Sequence, residues 1–154
     1  MGKISLMLLA LAWSLMATTQ AAAEPASRLE SCIFQAGAYQ KIDPLFLLAI
    51  AQQESAMNPK AKNRNVKGGT TDHGAMQIND EWVPRLKKFG ITKNDLYDAC
   101  VSAYVGAWIL AQEIARHGYT WKAIGAYNAK SPDKQEIYAR LIYQRWVKLA
   151  VARK

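Results

Sequence analysis

The chain has 154 residues, of which 51% are hydrophobic, and a formal net charge of +8. That length holds one domain with a real core, and the composition excludes a disordered chain. Two histidines and two cysteines without paired metal-ligand spacing argue against a zinc site, and no cofactor is expected.

The N-terminus reads as a targeting segment. Lys3 precedes an apolar stretch, Ile4 to Ala17, interrupted only by Ser5 and Ser14. Ala21-Ala22-Ala23 then supplies small residues of the kind that precede a cleavage site. The stretch is about 14 residues, short of the roughly 20 needed to span a bilayer. A signal peptide over 1–23 is therefore expected, with one domain over 24–154 delivered to the periplasm or beyond. In that compartment the basic surface suits anionic envelope polymers and not nucleic acid. No membrane span is expected after cleavage, and the chain reads as a monomer.

Helical spacing begins with Leu29, Ile33, Ala36 and Tyr39, with Cys32 on the same face. Asp43-Pro44 reads as an N-cap followed by proline at the first helical position. The helix it opens is rich in Leu, Ile and Ala, and is expected to run to about Met57, before Asn58-Pro59. The segment from Pro59 to Asn79 is polar and basic. It predicts a long central loop, or a short hairpin turned at Gly68-Gly69.

Asp80 is expected to cap a segment running to Phe89, stopped by Gly90. Thr92 is expected to cap a short helix over Lys93 to Tyr97. Val101 to Arg116 is apolar nearly all round and predicts the buried central helix, with Val101, Tyr104, Val105, Trp108, Ile109, Gln112 and Ala115 on one side. His117-Gly118 ends it. Thr120 opens a short helix over Trp121 to Asn128. Ser131-Pro132 opens the last one, carried by Ile137, Leu141, Tyr143, Trp146 and Leu149 to about Val151. The fold class is mostly α.

Cys32 and Cys100 are the two cysteines, and an even count in an exported chain predicts a disulfide. The 68-residue separation makes such a bridge worth about 4 kcal/mol of chain entropy.

Among the carboxylates, most lie among Lys and Arg and read as solvated. Glu54 is different. Leu47 and Ile50 precede it by seven and four residues, so they share its helical face. Desolvation on that face and the negative end of the helix dipole both raise a carboxyl pKa. A carboxylic acid protonated near neutrality serves as a general acid, and glycosidic cleavage is the reaction that most needs one. Phase alone leaves a second reading open, a Glu at the helix rim facing water.

Three motifs narrow this. Gln53-Glu54-Ser55, then Gly74-Ala75-Met76-Gln77-Ile78-Asn79, then Ala126-Tyr127-Asn128-Ala129 occur in that order. In order and spacing they resemble the motifs of soluble lytic transglycosylases with a lysozyme-like domain. The resemblance spans Cys32 to Ala129. Compact size, the Cys pair and Asp43-Pro44 look most like the specialised members that serve type III and type IV secretion, conjugation and pilus systems. The family implies cleavage of the β-1,4 bond between N-acetylmuramic acid and N-acetylglucosamine in peptidoglycan, leaving a 1,6-anhydro end without use of water. It implies that Glu54 acts first as acid and then as base. Carried over residue by residue, Ser55 would contact substrate or brace Glu54, with a bond to the helix backbone as the alternative. Gly74 would let the backbone pass close to the sugar, or is an ordinary turn glycine. Met76 would line the cleft floor or pack in the core. Gln77 would hydrogen-bond the glycan. Tyr127 would hold Glu54 through its hydroxyl and line the cleft, and Asn128 would shape its loop.

The chain departs from the family at Ala75, where Leu is frequent, and at Lys130, where Gly is frequent. Asp72 is an extra carboxylate two residues before Gly74. It reads either as a second acid that stabilises the cationic transition state or as a loop Asp in an Asx turn. His73 beside it is expected to be exposed. The aromatics Trp82, Tyr104, Trp108, Tyr119 and Trp121 read mostly as core. A lytic transglycosylase is the leading reading. A lysozyme using Glu54 and Asp72, and a non-catalytic peptidoglycan-binding assembly factor, are the alternatives.

Overall fold

The computed structural model describes residues 25–65 and 68–153, with the side chains of 25–27 left out. The expected signal peptide lies outside the described residues. Among the described residues, six α-helices and a small three-stranded sheet make a mostly α, lysozyme-like domain. They are α1 (Pro25–Gln40), α2 (Pro44–Ser55), β1 (Lys62–Arg64), β2 (Thr71–His73), β3 (Ile78–Asn79), α3 (Val83–Leu86), α4 (Ala99–His117), α5 (Trp121–Asn128) and α6 (Pro132–Ala152). No helix among the described residues is long and apolar enough to cross a membrane.

The core forms where α1, α2 and α5 meet α4, with α6 closing over α2 and α5. Leu29, Ile33, Leu47, Ile50, Leu110 and Ile142 are fully buried there. Cys32 and Cys100 are joined, with Cα atoms 5.0 Å apart, which fixes α1 to the first turn of α4. Asp98 caps α4 by accepting from the Cys100 and Val101 amides. The expected stripe on α4 is only partly right. Ser102, Ala103, Gly106 and Leu110 are buried, while Tyr104 and Ala115 are exposed. An almost wholly apolar helix gives periodicity little to discriminate.

Asp43 caps α2 through the Leu45 amide at 2.9 Å. Its other oxygen accepts from Trp146 Nε1 at 3.0 Å, binding α2 to α6. The far end of α2 is tied the same way, by Arg145 Nε to Gln53 Oε1 at 2.8 Å. The helix stops at Ser55, earlier than expected, because Ala56 (φ 52°) and Met57 (φ 67°) turn left-handed.

The polar stretch that follows is not a free loop. β1 pairs antiparallel with β2 and β2 with β3, and Gly68-Gly69 falls in the β1–β2 connection. Asn63, Asp72 and Asn79 stand opposite one another on one face, and Lys62, His73 and Ile78 on the other. That alternation buries His73, which corrects its expected exposure. Its ring lies 2.8 Å from the Tyr97 hydroxyl and 3.0 Å from Asp80 Oδ1. Asp80 therefore does not cap the next helical segment. Asn79 does so, through the Glu81 amide at 3.0 Å. Asp80 is held at about 2 by Lys93, His73 and the Thr71 amide. Thr92 is likewise not a cap, since its amide and hydroxyl both donate to Asp95.

Candidate active site

Glu54 is the penultimate residue of α2, and it looks out into a cleft of about 1110 Å³. The sheet face bearing Asp72 and Asn79 lines one side. Tyr127 and Asn128 from the end of α5, and the start of α6, line the other. Burial lifts the Glu54 carboxyl from 4.5 to about 6. The Tyr138 hydroxyl works against burial, the charge of Asp72 works with it, and the Asn128 amide works against it. The rim-exposed alternative is thereby excluded, since Glu54 is partly buried inside the cleft.

The hydroxyl that holds Glu54 belongs to Tyr138, which donates to Oε1 at 2.5 Å. The sequence assigned that role to Tyr127. Tyr127 lines the cleft, but its hydroxyl donates to the Met76 carbonyl at 2.8 Å. The stripe expected on α6 holds only at Trp146 and Leu149, which pack against the core. Ile137, Leu141 and Tyr143 are exposed, and the buried face is Tyr138, Ala139 and Ile142. The pattern Tyr138, Ile142, Trp146, Leu149 was the available signal. Gly125 lets α6 come close enough, because a Cβ there would meet the Gln135 carbonyl oxygen at 2.3 Å. Burial and the neighbouring Glu54 charge hold the Tyr138 phenol well above its ordinary pKa, so it stays a donor.

Asp72 sits within β2 and makes no Asx turn. Asn79 Nδ2 reaches its Oδ1 at 2.6 Å and Asn65 Nδ2 its Oδ2 at 2.9 Å. Both oxygens are thus fixed by amide donors, and the carboxylate shares the cleft with Glu54. Gln77 also lines the cleft. Its Oε1 accepts from Asn63 at 2.7 Å and its Nε2 donates to the Gly74 carbonyl at 2.9 Å.

Ser55, Gly74 and Met76 are not among the cleft-lining residues. The Ser55 hydroxyl donates to the Ala75 carbonyl at 2.8 Å, pinning the Gly74–Gln77 turn to the end of α2. It braces the backbone beside Glu54 and does not touch the carboxyl. Gly74 has φ 74°, and a Cβ there would lie 1.9 Å from the Leu96 carbonyl oxygen. Its smallness serves packing against the protein and not against a sugar. Met76 is fully buried against Gly106. Asn128, expected only to shape its loop, stands at the cleft near Glu54. Lys130 pairs with Glu81 at 3.2 Å, and both line the cleft. Trp82 lines the cleft as well, half-buried against Trp108.

No group of three His, Cys, Asp or Glu side chains among the described residues is spaced to hold a metal ion. The arrangement offers acid–base chemistry by a carboxyl lifted to about 6, in an open groove that also holds a second carboxylate.

Comparison with known proteins shows the family. The transglycosylase SLT domain model matches residues 31–138, a span that ends on Tyr138. The invasion protein IagB of Salmonella typhimurium is 46% identical, over 77% of this chain and 76% of its own. Protein IpgF of Shigella flexneri is 38% identical, over 80% and 84%. A peptidoglycan-binding-like protein of Escherichia coli O157:H7 is 37% identical, over 77% and 78%.

Proposed function

The chain belongs to the transglycosylase SLT domain family, and from that premise we propose that it cuts peptidoglycan strands with Glu54 as both acid and base. The observation that carries the reading is the Glu54 carboxyl, partly buried in the cleft and lifted to about 6, so that a useful fraction is protonated near neutral pH.

Protonated Glu54 gives its proton to the glycosidic oxygen between N-acetylmuramic acid and N-acetylglucosamine as the C1–O bond breaks. The N-acetyl group of the muramic acid shares the positive charge at C1. The Glu54 carboxylate then takes the proton from the C6 hydroxyl of the same sugar as that oxygen closes on C1. The product carries a 1,6-anhydro end, Glu54 is protonated again, and no water is consumed. Tyr138 positions the carboxyl for both transfers. Asp72, fixed by Asn65 and Asn79, faces the cleft as a preorganised negative charge that favours the oxocarbenium-like state. Gln77, Tyr127 and Asn128 supply polar edges for the sugars.

Asp72 also gives a hydrolytic reading its one support, since a second carboxylate in the groove suits a lysozyme that uses water. The double amide grip on its oxygens favours an electrostatic role over a nucleophilic one. In the cell, the enzyme is exported by a signal peptide over 1–23 and opens a local gap for an envelope-spanning secretion, conjugation or pilus machine. The similarity to a protein named for invasion supports that specialised setting.

Mass spectrometry of digested sacculi tests the reaction. Muropeptides one water lighter than hydrolysis products are expected, with none from Glu54→Gln. Free reducing ends would establish hydrolysis instead. Equal, empty digests from wild type and Glu54→Gln would leave a peptidoglycan-binding factor.

A further inference from the structure

The charges along the cleft are unevenly answered. Two of its carboxylates are matched within the protein. Glu113 pairs with Arg116 at 2.6 Å, and Glu81 with Lys130 at 3.2 Å. The charges left over come from different elements. Glu54, on α2, and Asp72, on β2, are the two cleft carboxylates without an ion-pair partner among the described residues. Arg85 of α3, Lys122 of α5 and Lys134 of α6 also line the cleft, and none has a carboxylate within ion-pair distance among the described residues. Lys122 is the second residue of α5 and Lys134 the third of α6, and both are exposed. Arg85 lies over the Trp82 ring at 5.3 Å, which holds its guanidinium at the groove.

The sugar rings of a glycan strand carry no charge that could answer these cations. The lactyl group of muramic acid does carry a peptide, and the free carboxylates of that peptide stem are the anions such a strand would bring into the groove. We propose that Lys122, Lys134 and Arg85 form a subsite for the carboxylates of the stem peptide. The inference rests on the reading that the cleft holds peptidoglycan. Catalysis at Glu54 would then be directed to muramic acid residues whose stems keep free carboxylates.

The test compares soluble glycan strands bearing free stem carboxylates with the same strands after carbodiimide coupling to excess methylamine, which removes the charge and little else. Affinity is measured with Glu54→Gln protein, so that binding is read without turnover. Free-carboxylate strands are expected to bind about five- to twentyfold more tightly at low salt, a preference that fades by 0.5 M salt. Adding Lys122→Gln and Lys134→Gln should bring the ratio towards one. Lys148→Gln, an exposed charge on α6 away from the cleft, should leave it intact. Equal affinity for the two strands, or a ratio untouched by the double substitution, overturns the subsite. Wild-type turnover is read in parallel. A charge-dependent affinity without any cleavage would sink the proposed reaction and leave the subsite standing. Cleavage of both strands with equal kcat/KM and equal affinity would do the reverse.

Discussion

Removing the Tyr138 hydroxyl should shift the working pH of the enzyme upward. That hydroxyl donates to Glu54 Oε1 at 2.5 Å and stabilises the ionised carboxylate. A hydrogen bond to a charged group is worth about 1.5–3 kcal/mol, or roughly one to two pKa units. Tyr138→Phe keeps the ring that fills the α6 contact and deletes only that donor. The carboxyl then rises from about 6 to somewhere around 7 to 8. At pH 7 its protonated fraction climbs from roughly a tenth to half or more. The acid also loses its aim, which should cost about tenfold in kcat/KM on the low-pH plateau. The assay is kcat/KM against pH on soluble muropeptide oligomers, followed by chromatography, with a melting curve to confirm that the variant is folded. The alkaline limb should move up by about one to two pH units. A folded variant whose limb stays in place, or moves down, would refute the role given to Tyr138.

Asp72→Asn should move the same limb the other way, because the Asp72 charge raises the Glu54 pKa. Turnover should fall roughly tenfold or more, and unchanged turnover would remove Asp72 from the mechanism. Glu54→Gln should abolish cleavage yet stabilise the fold at pH 7. The folded carboxyl titrates at about 6 against an ordinary 4.5, so ionising it costs the folded state up to about 2 kcal/mol once the pH exceeds the folded value. That cost is absent below the ordinary value, so the gain in melting temperature should vanish as pH falls through this window, as differential calorimetry would show. Gly74→Ala should lose roughly 3 kcal/mol in urea unfolding. Its positive φ and the Leu96 carbonyl 1.9 Å from the new Cβ both oppose the side chain.

The sequence by itself determined the elements whose signals are local. The Asp43 cap, the proline starts of α2 and α6, the Gly118 stop and the Thr120 cap are written in adjacent residues, and each stands where it was expected. Glu54 stood out as a candidate for the same reason, since its apolar helical face and its motif are both short-range. The bridge between Cys32 and Cys100 was expected from an even cysteine count, with free thiols as the alternative, and the structure forms it. Tertiary structure alone decided which hydroxyl reaches Glu54, for that depends on how α6 is rotated when clamped at Trp146 and Arg145. It also decided that His73 is buried and Asp72 is gripped by Asn65 and Asn79. A three-residue strand carries too short a pattern to show its faces, and its register is set by partners on either side. Helical phase could place an acid near neutrality, but only the assembled groove brought a donor from α6 and a second carboxylate from the sheet to it.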